Sequence, residues 1–250
     1  MDLAARLKLR SNDVVSFVGG GGKTTCIFRL GRELFQQRRK AIITTTTRIG
    51  AWQTDGHPVL MLSCWPTASA WLSQLHAQLA FHSVVIVVAK REDHKLIGIA
   101  PEAISSFCSF VDAVLVEADG ARSRSLKAPA AYEPVWPPAT TLAIAVVGVD
   151  AVGAPFNSTV VHRLEQVAAI AGLSEGELIT PHAVASCILH EDGLFARVPS
   201  MARRCVLINK VNSEAQRAVA MQIAQIVAGR DSALDVVIAD VRLNYVKVWL

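Results

Sequence analysis

The sequence predicts a three-layer α/β fold: a mainly parallel central sheet with helices on both faces. Three observations carry this expectation. An apolar run, Val14 to Val18, leads through four glycines into apolar residues at helical spacing (Ile27, Leu30, Leu34), and a second apolar run follows at Ala41 to Thr44. Strand, helix and strand so close together imply a parallel sheet with a right-handed crossover. Similar runs at Val84 to Ala89, Ala113 to Glu117, Leu142 to Val147, Cys205 to Asn209 and Val236 to Ala239 read as further strands. Hydrophobic residues make up 52% of the 250 and charged ones 18%, the balance of a compact globular protein. Residues 1–250 are expected to form one domain, with 51–110 an excursion from the main sheet.

The first strand ends in Gly19, Gly20, Gly21 and Gly22; Lys23, Thr24 and Thr25 then open a helix that runs to about Arg38. Glycines let backbone N–H groups close around an anion without interference from Cβ, and the helix points its positive end at the same place. Lys23 adds a point charge for the outer phosphates, and the Thr24 hydroxyl is placed to hold Mg²⁺. The match is to the GK[ST] half of GxxxxGK[ST]; Phe17 stands where the first glycine belongs. A variant loop with a second lysine near residue 18 or 19 is also missed, since these are Val18 and Gly19. The fold expected is therefore P-loop NTPase-like.

The second strand runs out into Thr44-Thr45-Thr46-Thr47-Arg48. Strand propensity accounts for four threonines. They also lie at the carboxyl end of a strand, where ligands bind in such sheets, so a hydroxyl there, Thr46 included, can reach Mg²⁺ or the γ-phosphate. Residues 57–62 read as a short strand and Thr67 to Ala80 as a helix. Lys90 to His94 reads as a polar turn, with Lys95 to Ile99 returning as a hairpin partner. Pro101 to Phe110 reads as a short helix with proline at its first position.

Ala113 to Glu117 is an apolar strand ending in a carboxylate, with Asp119 two residues on. Side chains alternate along an extended chain, so both acids can face one metal–phosphate cluster. The milder reading is one ligand and one turn-forming Asp-Gly. The following stretch, Arg122 to Pro138, is long, rich in proline and basic at its start, with Arg122, Arg124 and Lys127. It reads either as a substrate-facing loop or as a rigid connector. Val160 to Ala171 is expected to be a helix with His162 and Arg163 at its start, and Thr180-Pro181 opens another through Leu189.

Asn209-Lys210-Val211-Asn212 follows a late strand. In GTP-binding proteins of this fold, NKxD reads guanine through the aspartate. Asn212 at that position weakens guanine selectivity, while Asn209 and Lys210 can still stack under a base. Ser213 caps a helix over Glu214 to Val227, and Tyr245 to Leu250 is expected to add an edge strand.

Charge is uneven. Residues 1–50 hold ten Lys/Arg against three Asp/Glu, and the remaining 200 hold fifteen against eighteen. A basic end around a phosphate loop suits an anionic ligand, although Arg38, Arg39 and Lys40 also suit a helix C-terminus. No aromatics interleave with these charges, so nucleic acid is not an expected partner. No apolar run reaches the roughly 18 residues needed to span a bilayer. Five scattered cysteines without a CxxC argue for a reducing, cytoplasmic setting and against zinc.

Several motifs together, FVGGGGKTT at 17–25, TTTTR at 44–48, EADGA at 117–121, LKAPAAYEPVWP at 126–137, GVDAVG at 148–153, VHR at 161–163 and NKVN at 209–212, make the chain similar to the YqeC-type selenium-dependent hydroxylase accessory proteins. The resemblance runs through nearly the whole chain. It implies a P-loop NTPase-like fold and a role in maturing a selenium-containing molybdenum hydroxylase or its cofactor, with that hydroxylase or another maturation protein as partner.

The candidate catalytic residues are Lys23, Glu117, Asp119 and Arg122, with Arg48 as another cation for the γ-phosphate. The nucleotide contacts expected are Gly19, Gly20, Gly21, Gly22, Lys23, Thr24, Thr25, Asn209 and Lys210, and the metal ligands Thr24, Glu117, Asp119 and Thr46. Three functions fit: an Mg²⁺-dependent ATPase or GTPase, a kinase or nucleotidyl transferase acting on a cofactor precursor, or a non-catalytic, nucleotide-switched maturation factor.

Overall fold

The computed structural model describes residues 2–51, 53, 54, 56–65, 67–242 and 245–249. In chain order the elements are α1 (Leu3–Arg6), β1 (Asp13–Gly19), α2 (Lys23–Gln36), β2 (Ala41–Thr45), β3 (Arg48–Gly50), β4 (Val59–Met61), α3 (Ala68–Phe81) and β5 (Val84–Val88). Then come β6 (Lys90–Glu92), β7 (Lys95–Ile97), β8 (Ala113–Glu117), β9 (Leu126–Lys127), β10 (Leu142–Gly148), β11 (Val161–His162), α4 (Leu164–Ala171) and α5 (Pro181–Leu189). The chain closes with β12 (Arg203–Asn209), α6 (Glu214–Arg230), β13 (Asp235–Arg242) and β14 (Tyr245–Trp249).

Nine strands form the main sheet in the order β14-β13-β12-β10-β1-β8-β2-β5-β4, and every pairing but β13 with β14 is parallel. Alternating side chains feed opposite faces. Val15, Phe17, Ile43 and Leu115 pack under α2, while Val14, Ile42, Val114 and Val116 meet Leu75 and Leu79 of α3. Farther along the same face as α3, Val206, Ile208 and Ile238 pack against α5 and α6. The result is the expected three-layer α/β arrangement, a mainly parallel sheet with helices on both faces.

The structure departs from the sequence reading in several places. β2 does not lie beside β1; β8 is inserted between them, in register with both (Phe17 opposite Glu117, and Thr45 opposite Glu117). The chain therefore leaves the centre of the sheet and returns to it about one hundred residues later, which periodicity does not reveal. Stretch 51–110, expected as an excursion, instead supplies β4 and β5 to the main sheet because their apolar side chains cover its far end. Within the stretch, β6 and β7 form a separate three-stranded sheet with β3; residues 52, 55 and 66 lie outside the described residues.

The helix expected over 160–171 begins at Leu164, because Arg163 adopts φ 67° and Val161–His162 pairs with Leu126–Lys127 instead. Pro101–Phe107 is a 3-10 helix. The edge strand forms over Tyr245–Trp249, and Leu250 lies outside the described residues.

Candidate functional site

The turn from β1 into α2 requires glycine for two separate reasons. Gly21 and Gly22 have φ of 69° and 110°, conformations that side chains rarely adopt. The loop is also pressed against backbone: a Cβ on Gly21 would stand 2.2 Å from the Gly148 nitrogen, and one on Gly20 2.6 Å from the Arg124 oxygen. This close packing uses up amides that the sequence reading reserved for phosphate. Gly19 N–H donates to Asp119 Oδ2 (2.9 Å), Gly20 N–H to the Val146 carbonyl (2.9 Å) and Gly21 N–H to the Arg124 carbonyl (2.8 Å). Among the described residues, no acceptor faces the N–H groups of Gly22, Lys23, Thr24 and Thr25 at the start of a 14-residue helix. The open anion cradle is thus residues 22–25, and Gly19 to Gly21 are its foundation.

Lys23 is buried. Its ammonium donates to the Gly19 carbonyl (2.6 Å), meets Asp119 Oδ1 at 3.0 Å and lies 3.8 Å from Glu117 Oε1. Burial works against its charge, but Asp119 and Glu117 hold its pKa above the ordinary lysine value. Glu117 accepts from the Thr24 hydroxyl at 2.8 Å. Burial raises the Glu117 pKa above the usual carboxylate range, against the pull of Lys23 and of that hydroxyl.

Thr24 and Glu117 are hard oxygen donors side by side at the cradle's edge, the donor set Mg²⁺ takes. The described residues contain no group of three or more His, Cys, Asp or Glu able to hold a metal alone. The fit is therefore to an ion that shares its ligands with phosphate and water, as Mg²⁺ does in such sites.

Asp119 lies deeper than a metal ligand would. It is fully buried between Lys23 and Lys127, whose ammonium is 2.9 Å from Oδ2. Its Oδ1 makes no hydrogen bond and has only the Lys23 charge for company. Lys127, also fully buried, continues the chain of charges: it donates to the Gly120 carbonyl and to Glu133 Oε2, both at 2.7 Å. Glu133 Oε1 then meets Arg163 at 3.0 Å. Lys23, Asp119, Lys127, Glu133 and Arg163 thus alternate in sign from the glycine loop to the proline-rich loop.

The other expected residues fall as follows. Thr46 donates its hydroxyl to the Val135 carbonyl (2.8 Å), and Thr44 and Thr45 donate theirs to Val87 and Glu117 carbonyls, so the threonine run ties strand ends together. Arg48 is exposed and points to Glu92 in the small sheet. Arg122 is exposed at φ 46° and adds its charge to the surroundings of His162. Asn209 is buried: its amide donates to the Gly21 carbonyl (2.8 Å) and accepts from Val241 N–H (2.9 Å), so it ties the glycine loop to β13. Lys210, at φ 66°, is held by Asp150 Oδ2 (2.8 Å) and Ser125 Oγ (2.7 Å) and lines a cavity of about 270 Å³ beside Gly22 and Thr25.

Sequence reasoning missed Lys127, Glu133 and Arg163 as one network, because nothing local says that a basic loop folds inward. It also missed Asp240, although Val236 to Ala239 runs into it as an apolar strand ending in an acid, the same signal that singled out Glu117.

His162, half-buried, has its pKa pushed down to about 4, first by burial and then by Lys127, Arg163 and Arg122. The unfolded chain protonates this ring near pH 6.5 and the folded one only near 4, so its contribution to stability is intact above pH 6.5 and is lost as pH falls towards 4. Replacing His162 by Gln is expected to flatten the fall in melting temperature across that window, as measured by thermal melts between pH 7 and 4.

A family model described as YqeC protein matches residues 15–165. An Escherichia coli (strain K12) protein described as uncharacterized protein YqeC is 34% identical over 217 residues, covering 83% of this chain and 79% of that one. Among solved structures, FtsY from Mycoplasma mycoides aligns over all of this chain and 68% of its own, at 12% identity and a TM-score of 0.47. No helix among the described residues is long and apolar enough to cross a membrane. The stretch matched by the family model contains every link of the charge chain from Lys23 to Arg163, and the long similarity to the E. coli protein carries the relationship past it: the chain belongs to the YqeC protein family.

Proposed function

We propose that the protein binds an Mg²⁺–nucleotide, ATP or GTP, at the cradle of residues 22–25 and hydrolyses it or transfers its terminal phosphoryl group. One observation carries this reading. Four free amides, a buried lysine and a hydroxyl–carboxylate pair converge at the start of one helix. The amides and the helix's positive end take phosphate oxygens. Lys23 moves its ammonium from the Gly19 carbonyl to the outer phosphates, where charge grows in the transition state. Thr24 and Glu117 hold the metal, which neutralises phosphate charge when bound. Asp119 stays behind as the anchor of Lys127.

The test is calorimetric titration with non-hydrolysable ATP and GTP analogues, with and without Mg²⁺, followed by turnover assays on the wild type and on Glu117→Gln. Micromolar, Mg²⁺-dependent binding is expected, with turnover lowered by about 10²-fold in the variant. Absence of binding to both analogues would falsify the reading.

A second reading is a nucleotide-switched maturation factor, and the charge chain favours it. Withdrawing Lys23 from Asp119 perturbs Lys127, Glu133 and so the loop carrying Tyr132 and Pro134. Similarity to the selenium-dependent hydroxylase accessory proteins supports placing that loop against a partner hydroxylase or its maturation machinery, in the cytoplasm. The five cysteines are free, in keeping with that compartment. Turnover that stays at background while a partner hydroxylase gains activity in a nucleotide-dependent way is the result that selects this reading over catalysis.

A further inference from the structure

Building on the nucleotide reading, we propose that the site takes a guanine nucleotide and that Asp240, together with Arg242, reads the base. The cavity of about 270 Å³ opens between the glycine loop and the carboxyl ends of β12 and β13, with Gly22 and Thr25 on one side and Lys210, Asn212, Asp240 and Arg242 on the other. A ligand whose phosphates lie on the amides of residues 22–25 has this cavity as the adjoining space for its base. The usual guanine-reading carboxylate would stand at residue 212, where this chain has an exposed asparagine. The structure brings a carboxylate to the same cavity from the neighbouring strand instead.

Asp240 is only 4% exposed, and its position is fixed. Val241 N–H next to it donates to Asn209 Oδ1, and Val211 N–H donates to the Ala239 carbonyl, locking β13 to the end of β12. Arg242 binds the carboxylate through both nitrogens, Nε to Oδ1 at 3.2 Å and a terminal nitrogen to Oδ2 at 2.5 Å. Guanine offers two adjacent donors, N1–H and the 2-amino group, beside the O6 acceptor. Arg242, whose side chain is 59% exposed, swings from the carboxylate to donate to the third, and the carboxylate edge so released accepts the first two. Adenine presents an acceptor at N1 and a donor at its 6-amino group, so each would face a group of its own kind. The Lys210 stem, tethered at its tip by Asp150 and Ser125, supplies an apolar wall for the ring.

The experiment is titration of the full-length protein with GDP, IDP, XDP and ADP in Mg²⁺, repeated on Asp240→Asn after a thermal melt has checked its fold. The wild type is expected to bind GDP about 100-fold more tightly than ADP, and IDP, which lacks the 2-amino group, about tenfold more weakly than GDP. Asp240→Asn is expected to lose GDP by about 100-fold and to gain XDP, whose 2-oxo group accepts from the new amide. ADP binding as tightly as GDP, or a folded Asp240→Asn with unchanged base preference, overturns the base assignment and leaves the phosphate site standing. Failure of all four diphosphates to bind overturns both. If the variant does not fold, the ratios of GDP to IDP and to ADP on the wild type decide the question alone.

Discussion

Lys127→Met is expected to destabilise the protein by about 3–5 kcal/mol. The methionine fills the lysine's volume, so the loss is electrostatic. Lys127 is fully buried and is the link between Asp119 and Glu133, at 2.9 and 2.7 Å. Removing it leaves Asp119 with Lys23 and Glu133 with Arg163, each pair now short of a donor, and strands the Gly120 carbonyl. At about 2–4 °C per kcal/mol for a chain of this size, the melting temperature should fall by roughly 10 °C. Chemical denaturation of wild type and variant measures it. A drop below about 1 kcal/mol would mean that the charges find water and that the network is not sealed. Arginine at the same position should rescue little, since its planar fork cannot occupy the site of a compact ammonium.

Lys23→Ala is expected to weaken Mg²⁺–nucleotide binding and turnover together, by about 10²–10³-fold. Two effects compound. The outer phosphates lose their cation, and Glu117 and Asp119 lose the charge that stands against their burial. The second effect makes Glu117 harder to ionise and hence a poorer metal ligand at neutral pH. Raising the pH from 6 to 8 should therefore recover part of the Mg²⁺ dependence in the variant more than in the wild type. Calorimetric titration across that range distinguishes the two effects. Affinity within threefold of wild type would remove Lys23 from the site.

The sheet and its layers were legible because their signals are local. Apolar runs such as Val84 to Val88 and Leu142 to Gly148 form strands where the residues say they should, and the glycine–lysine–threonine turn marks the loop by itself. The insertion of β8 beside β1 was not legible, since register between strands one hundred residues apart leaves no periodic trace. The site divides the same way. Lys23, Thr24 and Glu117 stand together as their motifs imply. Thr46 and Asn209 carry the right functional groups but spend them on Val135, Gly21 and Val241 carbonyls and amides, a matter of tertiary contact that residue type cannot reveal. Asp119 is the subtlest case. The alternation that let it face the same way as Glu117 says nothing of depth, and depth turns a candidate ligand into the partner of two lysines.

The placement of β1 bears on how the chain acquires its shape during synthesis. Its neighbours β8 and β10 lie about 100 and 127 positions downstream, and the glycine loop is fastened by Val146 and Asn209. Such long-range pairing makes for high contact order and slow assembly. On the ribosome, Val15, Phe17 and Val18 emerge well before β8 and β10 and stay without these partners until they follow, a window in which an apolar edge invites association with other chains. The glycine loop, compact in sequence, is thus among the last parts of the molecule to take form.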